Sequence, residues 1–349
     1  MQRRSFLKNA AVVPMAMSLG WIGAARAGSV PSEAGWRRYE MTTDVELPAS
    51  EGPATLWLPV AQSAGGYQKS LGIDWNTSAP QASLMHDPVY NAGLLRLGWT
   101  TQPTRQVRLV QTVAVRDRGA EGVRAGLAEQ QLYLQPTPDM PLDGIVRTTS
   151  ERIVAGCVTP LEKVRAIYDW VVDNTFRDPN TPGCGMGHIR QMLETRSLGG
   201  KCADMSSLMV GLTRAAGIPA REVYGIRVDR SAQFPSLGAS GDISKAQHCR
   251  AEVHLADRGW MPVDPADVRK VVLQDRLPLA DPRVAALRER AFGNWEMNWV
   301  GYNTARDFSL PGSTQIAEFA MYPCSSTKAG QRDCLQPKQF RYAISARRV

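Results

Sequence analysis

The chain has 349 residues, 43% of them hydrophobic and 21% charged, a balance that suits two or three packed units and excludes a disordered chain. Its formal net charge is +8, but Arg3, Arg4, Lys8 and Arg26 lie in the first 27 residues with no acid among them, so the remainder carries only +4. With no block of five or more Lys/Arg, that excess gives no nucleic-acid footprint and no reason to expect a polyanionic partner.

At the start, Arg3-Arg4-Ser5-Phe6-Leu7-Lys8 precedes an apolar stretch from Ala10 to Ile22 and a small-x-small site, Ala25-Arg26-Ala27. Residues 1–27 are therefore expected to be an export signal. The paired arginines favour the twin-arginine class over a general secretory signal, because Pro14, Ser18 and Gly20 interrupt the apolar segment. A periplasmic or otherwise exported protein follows. Beyond this segment no apolar run reaches membrane-spanning length, so the mature form is expected to hold no integral membrane segment.

From Tyr39 to Leu47 apolar and polar residues alternate with a period of two, the signature of a half-buried strand. Short strands are also predicted over 55–58, 94–99 and 107–115. With turn residues between them they make residues 28–140 a β-sandwich domain. Pro136 to Gly144 is rich in proline and turn formers and marks a boundary. Thr159-Pro160-Leu161-Glu162 then reads as a capping box with proline at the first helical position. The helix it opens should bury Leu161, Val164, Tyr168, Val171 and Val172.

Next comes Gly199-Gly200-Lys201-Cys202-Ala203-Asp204-Met205, whose apolar residues continue at helical spacing to Ala216 before Gly217. Cys202 is thereby placed at a helix N-terminus, where unpaired N–H groups and the helix dipole favour a thiolate and offer donors to an oxyanion. Further on, His248 and Asp264 flank a predicted hairpin through Ala256-Asp257-Arg258-Gly259. Side chains alternate faces along a strand, so the two share a face only if the loop has an odd number of residues. A three-residue loop ending at Gly259 meets that condition. Asp264 is then able to orient His248, and His248 to take the proton of Cys202.

The run GGKCADMSSLMVGLTRAAGIPAREVYG, with HCRAEV and GWMPVDPAD after it, resembles the transglutaminase-like superfamily of papain-like fold, in which Cys, His and Asp occur in that order. The resemblance covers roughly residues 145–275. It implies an α+β papain-like core over 141–275, preceded by the sandwich and followed by a C-terminal extension, 276–349, packed on the core. It places the nucleophile on Cys202, the base on His248 and the third member on Asp264. Many members carry an aromatic residue two positions after the histidine, where this chain has Arg250. The implied chemistry is that of a hydrolase or acyl transferase acting on carboxamide or peptide bonds through a thioester, with a protein or peptide substrate and neither metal nor organic cofactor. A catalytically silent peptide-binding protein, or a structural envelope protein of the same fold, is the alternative.

Other residues invite blander readings. Cys249 should point away from His248's face into the core, and His254, near the turn, should be solvated. Cys184 and His188 have a spacing that suits a metal but no second pair to match. Cys324 and Cys334 flank a polar, loop-like segment suited to a local disulfide, although sequence does not fix connectivity. Trp295, Trp299 and Tyr302 recur at near-helical spacing, for core packing or for a substrate groove.

Overall fold

The computed structural model describes residues 35–47, 52–328, 330–332 and 341–349. The expected export signal and Cys334 lie outside them. Six strands come first: β1 (Arg37–Glu46), β2 (Ala54–Pro59), β3 (Gln68–Thr77), β4 (Gln81–His86), β5 (Gly93–Trp99) and β6 (Gln106–Val115). In β1 the predicted alternation is realised, with Tyr39, Met41, Thr43 and Val45 buried between half-exposed neighbours. β1, β6 and β3 lie side by side in one sheet, and β2, β5 and β4 in another. Their inner faces meet through Val45, Leu56, Leu58, Leu95, Leu97 and Leu109. Each such leucine, fully buried, contributes about 1.5–3 kcal/mol.

Both sheets are completed from the far end of the chain. Arg341–Arg348 pairs antiparallel with β1, Ile344 opposite Thr43, and Cys324–Thr327 pairs with β2. In Arg341–Arg348 only Ile344 and Ala346 are buried, so one face is apolar and the strand suits a sandwich sheet rather than the interior of the core. The C-terminal extension therefore divides. Trp299–Asn303 joins the core sheet, and the terminal strands join the sandwich.

The core sheet is antiparallel, in the order Gly259–Val263, Gln247–Leu255, Ala220–Arg227 and Trp299–Asn303. Against it lies the helix Cys202–Ala215, buried over all but its last residue. It ends where Gly217 takes a φ of +81°, the left-handed turn that glycine adopts without a Cβ clash. Helix Pro160–Asn174 packs into the same core and begins with the predicted capping box. Glu162 N–H donates to Thr159 Oγ1 (3.2 Å), and Thr159 N–H donates to Glu162 Oε2 (2.9 Å). Its buried face holds Val164, Ile167, Tyr168, Val171 and Val172, with Leu161 only partly covered. Among the described residues no helix is long and apolar enough to cross a membrane.

Candidate active site

Cys202 is the first residue of its helix, with Lys201 as the N-cap. The helix start is fixed by Asp204, whose Oδ2 accepts from Lys201 N–H at 2.9 Å. Its Oδ1 accepts from Met186 N–H (3.1 Å) and Gly187 N–H (2.9 Å). One carboxylate thus ties the strap 184–188 to the beginning of the helix. Gly185 permits this approach, since its φ is +89° and a Cβ there would collide with the Asp204 carboxylate. Ala203 N–H, a donor expected to serve an oxyanion, is instead engaged by Cys184 O at 2.9 Å.

The hairpin has the predicted parity. Leu255 pairs with Gly259 across Ala256, Asp257 and Arg258, and Gly259 has a φ of +72°. Continued register sets Asp264 opposite Arg250, with His248 next along the same face. His248 Nε2 lies 2.8 Å from Asp264 Oδ2, and Arg250 Nε lies 3.3 Å from the same oxygen. Asp264 also caps the following helix, Pro265–Gln274, its Oδ1 accepting from Asp267 N–H at 3.0 Å. Trp299 Nε1 donates to His248 O at 3.0 Å and fixes the strand from the other side.

Electrostatics separates the charges. The neighbouring thiols of Cys184 and Cys249 hold Cys202 well below the usual cysteine range, against the effect of burial, and the His248 ring acts in the same direction. Cys184 is pushed up, first by the neighbouring Cys202, and Cys249 is pushed up, first by burial. The negative charge therefore concentrates on Cys202 with protons on its two sulfur neighbours. For His248, burial and then the Arg227 charge push downward, but Asp267 and Asp264 together outweigh them and the imidazole ends above its ordinary value. Both shifts run in the direction of a thiolate on Cys202 and a proton on His248.

Asp267 and Arg227, absent from the sequence expectation, complete this network together with Arg250. Asp267, buried, lies 3.3 Å from His248 Nε2, 3.9 Å from Arg250 Nη2, and against Arg227 Nη2. Burial raises its carboxyl, yet the charges of Arg227, His248 and Arg250 hold it well below the usual range. Asp267 stands three positions after Asp264 in the same motif, a spacing that puts both at the start of one helix. Arg250 lies between Trp295 and Trp299, 5.4 and 4.8 Å from their ring centroids. Those tryptophans are buried, Trp295 in an isolated bridge to Arg118 and Trp299 in a strand, so they serve packing.

Donor atoms of His248, Asp264 and Asp267 lie within 4.8 Å of one another, a set that suits a metal by composition. Arg227 and Arg250 already supply the positive charge there. Cys184 and His188 are not brought together: Cys184 Sγ donates to Gln247 O (3.4 Å) and accepts from Tyr322 (3.1 Å), whereas His188 faces Asp139 and Glu318. Cys249 points into the core beside Met321, as alternation requires. His254 is buried rather than solvated, because Ala125 N–H donates to its Nε2 (3.1 Å) from a segment lying over the hairpin. Cys157, Cys184, Cys202 and Cys249 are free thiols.

A family model described as the transglutaminase-like superfamily matches residues 147–265, a span that contains Cys202, His248 and Asp264. An uncharacterized protein of Haemophilus influenzae is 34% identical over 339 residues, 89% of this chain and 91% of its own length. The chain belongs to the transglutaminase-like superfamily. Another relative, the uncharacterized protein YebA of Bacillus subtilis, is 24% identical over 237 residues, and the match spans 64% of this transglutaminase-like chain but 30% of YebA. The crystal structure of a proposed cysteine protease from Cytophaga hutchinsonii superposes with a TM-score of 0.53 at 16% identity, over 89% of this chain and 98% of that one. The two share the fold.

Proposed function

We propose that this protein is an exported thiol enzyme that acts on carboxamide or peptide bonds of a protein or peptide substrate. The observation that carries the reading is a depressed cysteine thiol at a helix start, beside a histidine whose Nε2 is held 2.8 Å from a buried aspartate. The Cys202 thiolate attacks the carbonyl carbon, and the tetrahedral intermediate collapses to a thioester as the C–N bond breaks. The His248 imidazolium gives its proton to the departing amine or ammonia. Neutral His248 then takes a proton from water or a second amine, which attacks the thioester and returns the thiolate. Asp264 keeps the ring oriented and favours its protonated form. Export rests on the sequence of residues 1–27.

The test is labelling of the full-length mature protein with a thiol-reactive acyl analogue. Wild type is expected to acquire one acyl group on Cys202, and Cys202→Ala to lose all labelling at that site while unfolding at an unchanged temperature. Labelling of equal extent in the variant would contradict the assignment.

One observation favours the silent, peptide-binding alternative: Cys202, His248 and Asp264 are only 2%, 3% and 2% exposed. Substrate access then requires the strap 184–188 or the Tyr322 segment to move. Failure of Cys202 to react at all in the folded protein would select that reading.

A further inference from the structure

His188, four residues past Cys184, is the N-cap of the helix Ile189–Thr195, and its side chain is partly exposed. Its Nε2 lies 3.6 Å from Asp139 Oδ1 and 4.0 Å from Glu318 Oε1, and the three donor atoms all fall within 4.8 Å of one another. A cation with bonds of about 2.1 Å sets its ligands some 3–4 Å apart, so one ion fits among them with little adjustment. The side chains are 30–38% exposed, which leaves a path from solvent.

An independent feature points into the same place. Glu318 lies on the strand Ile316–Phe319, whose register pairs Arg306 with Phe319 and Phe308 with Ala317, so Asp307 falls at its level on the neighbouring strand. Like charges opposite one another on paired strands repel. The Asp307 side chain is only 2% exposed, and its Oδ1 has no hydrogen-bond partner. The nearest cation to that oxygen is Arg306 Nε at 3.5 Å, a guanidinium that also faces Glu222 at 3.3 Å. Asp307 Oδ2 accepts from Asp139 N–H at 3.0 Å, so the buried carboxylate sits against the residue that begins the cluster. Two carboxylates thus face one imidazole, and the buried Asp307 carboxylate lies behind Asp139.

We propose that Asp139, His188 and Glu318 bind a divalent transition cation, with Asp307 lending its carboxylate from behind. Mixed imidazole and carboxylate donors select such an ion over Ca2+, which takes oxygen ligands. The ion would join the loop before helix Gly144–Ile153, the strap that carries Cys184, and the ribbon of Arg306–Ser309 with Ile316–Phe319. It is separate from Cys202, His248 and Asp264 and does not depend on their proposed chemistry.

Mn2+ is the probe of choice, because it takes nitrogen and oxygen ligands and leaves the nearby thiols alone. Titration of the chelator-treated full-length protein, followed by the paramagnetic resonance signal of free Mn2+, is expected to show one saturable site per chain. His188→Ala and Glu318→Gln should each weaken it at least tenfold, and Cys202→Ala and the exposed-turn variant Asp257→Asn should leave it within twofold. Circular dichroism checks folding, and Glu318→Gln, which keeps the side-chain shape, decides alone should His188→Ala not fold. Absence of a saturable site in wild type, equal binding by the folded variants, or loss of binding in Cys202→Ala would overturn the proposal.

Discussion

Asp264→Asn is expected to lower the specificity constant for a peptide or amide substrate about a thousandfold, near 4 kcal/mol of transition-state stabilisation. Asparagine is close in shape and caps helices as well as aspartate does, so the cap at Asp267 N–H survives and the fold is retained. What disappears is a negative charge that raises the His248 imidazole from 2.8 Å away. The variant's imidazolium should lose its proton at lower pH than wild type. A merely structural role would change stability and leave that titration alone. Steady-state kinetics across pH, with a thermal melt of the same preparation, separates the two. Activity within tenfold of wild type would rule Asp264 out as the orienting residue.

Asp267→Asn is expected to cost about 3–5 kcal/mol of folding stability, the usual consequence of removing one partner from a buried ion pair. Arg227 and Arg250 would be left buried, with Asp264 alone to offset them. Against a typical total of about 5–15 kcal/mol this is a large loss, measurable by urea unfolding at neutral pH. The pH dependence follows from the sign of the shift. Because the folded-state carboxyl is depressed, its contribution is complete above the unfolded value of about 4 and is lost as pH falls toward the folded value. The wild-type melting temperature should therefore fall more steeply than the variant's below about pH 4. A loss under about 1 kcal/mol would show that the two arginines do not depend on Asp267.

The parts of this architecture legible in the sequence are those governed by local rules. Alternation in β1, the Thr159–Glu162 capping box and the odd-numbered turn before Gly259 each depend on neighbours within a few residues. β4 escaped notice because all but one of its side chains are exposed, and β3 because Asp74, within its alternating Leu71, Ile73 and Trp75, reads as a turn former. Long-range cover was equally invisible: Gly122 N–H donates to Arg258 O and Trp260 N–H to Val123 O, laying a distant segment over His254. The four-residue spacing of Trp295 and Trp299 mimicked a helix, yet one forms an isolated bridge with Arg118 and the other begins a strand. At the site, Cys202, His248 and Asp264 stood out because each begins or ends a recognisable element. Arg227 and Asp267 did not, since a buried ion pair between a strand end and a helix start is created by tertiary packing alone.

The proposed chemistry requires Cys202 to be an anion at neutral pH. The most direct measurement is its alkylation rate by iodoacetamide as a function of pH, read peptide by peptide by mass spectrometry with half-exposed Cys157 as internal reference. Cys202 should reach its full rate well below the ordinary thiol value of about 8.5 and, although buried, outpace Cys157 at mildly acidic pH. A Cys202 that titrates like an ordinary thiol, or that emerges joined to another cysteine, would contradict the account.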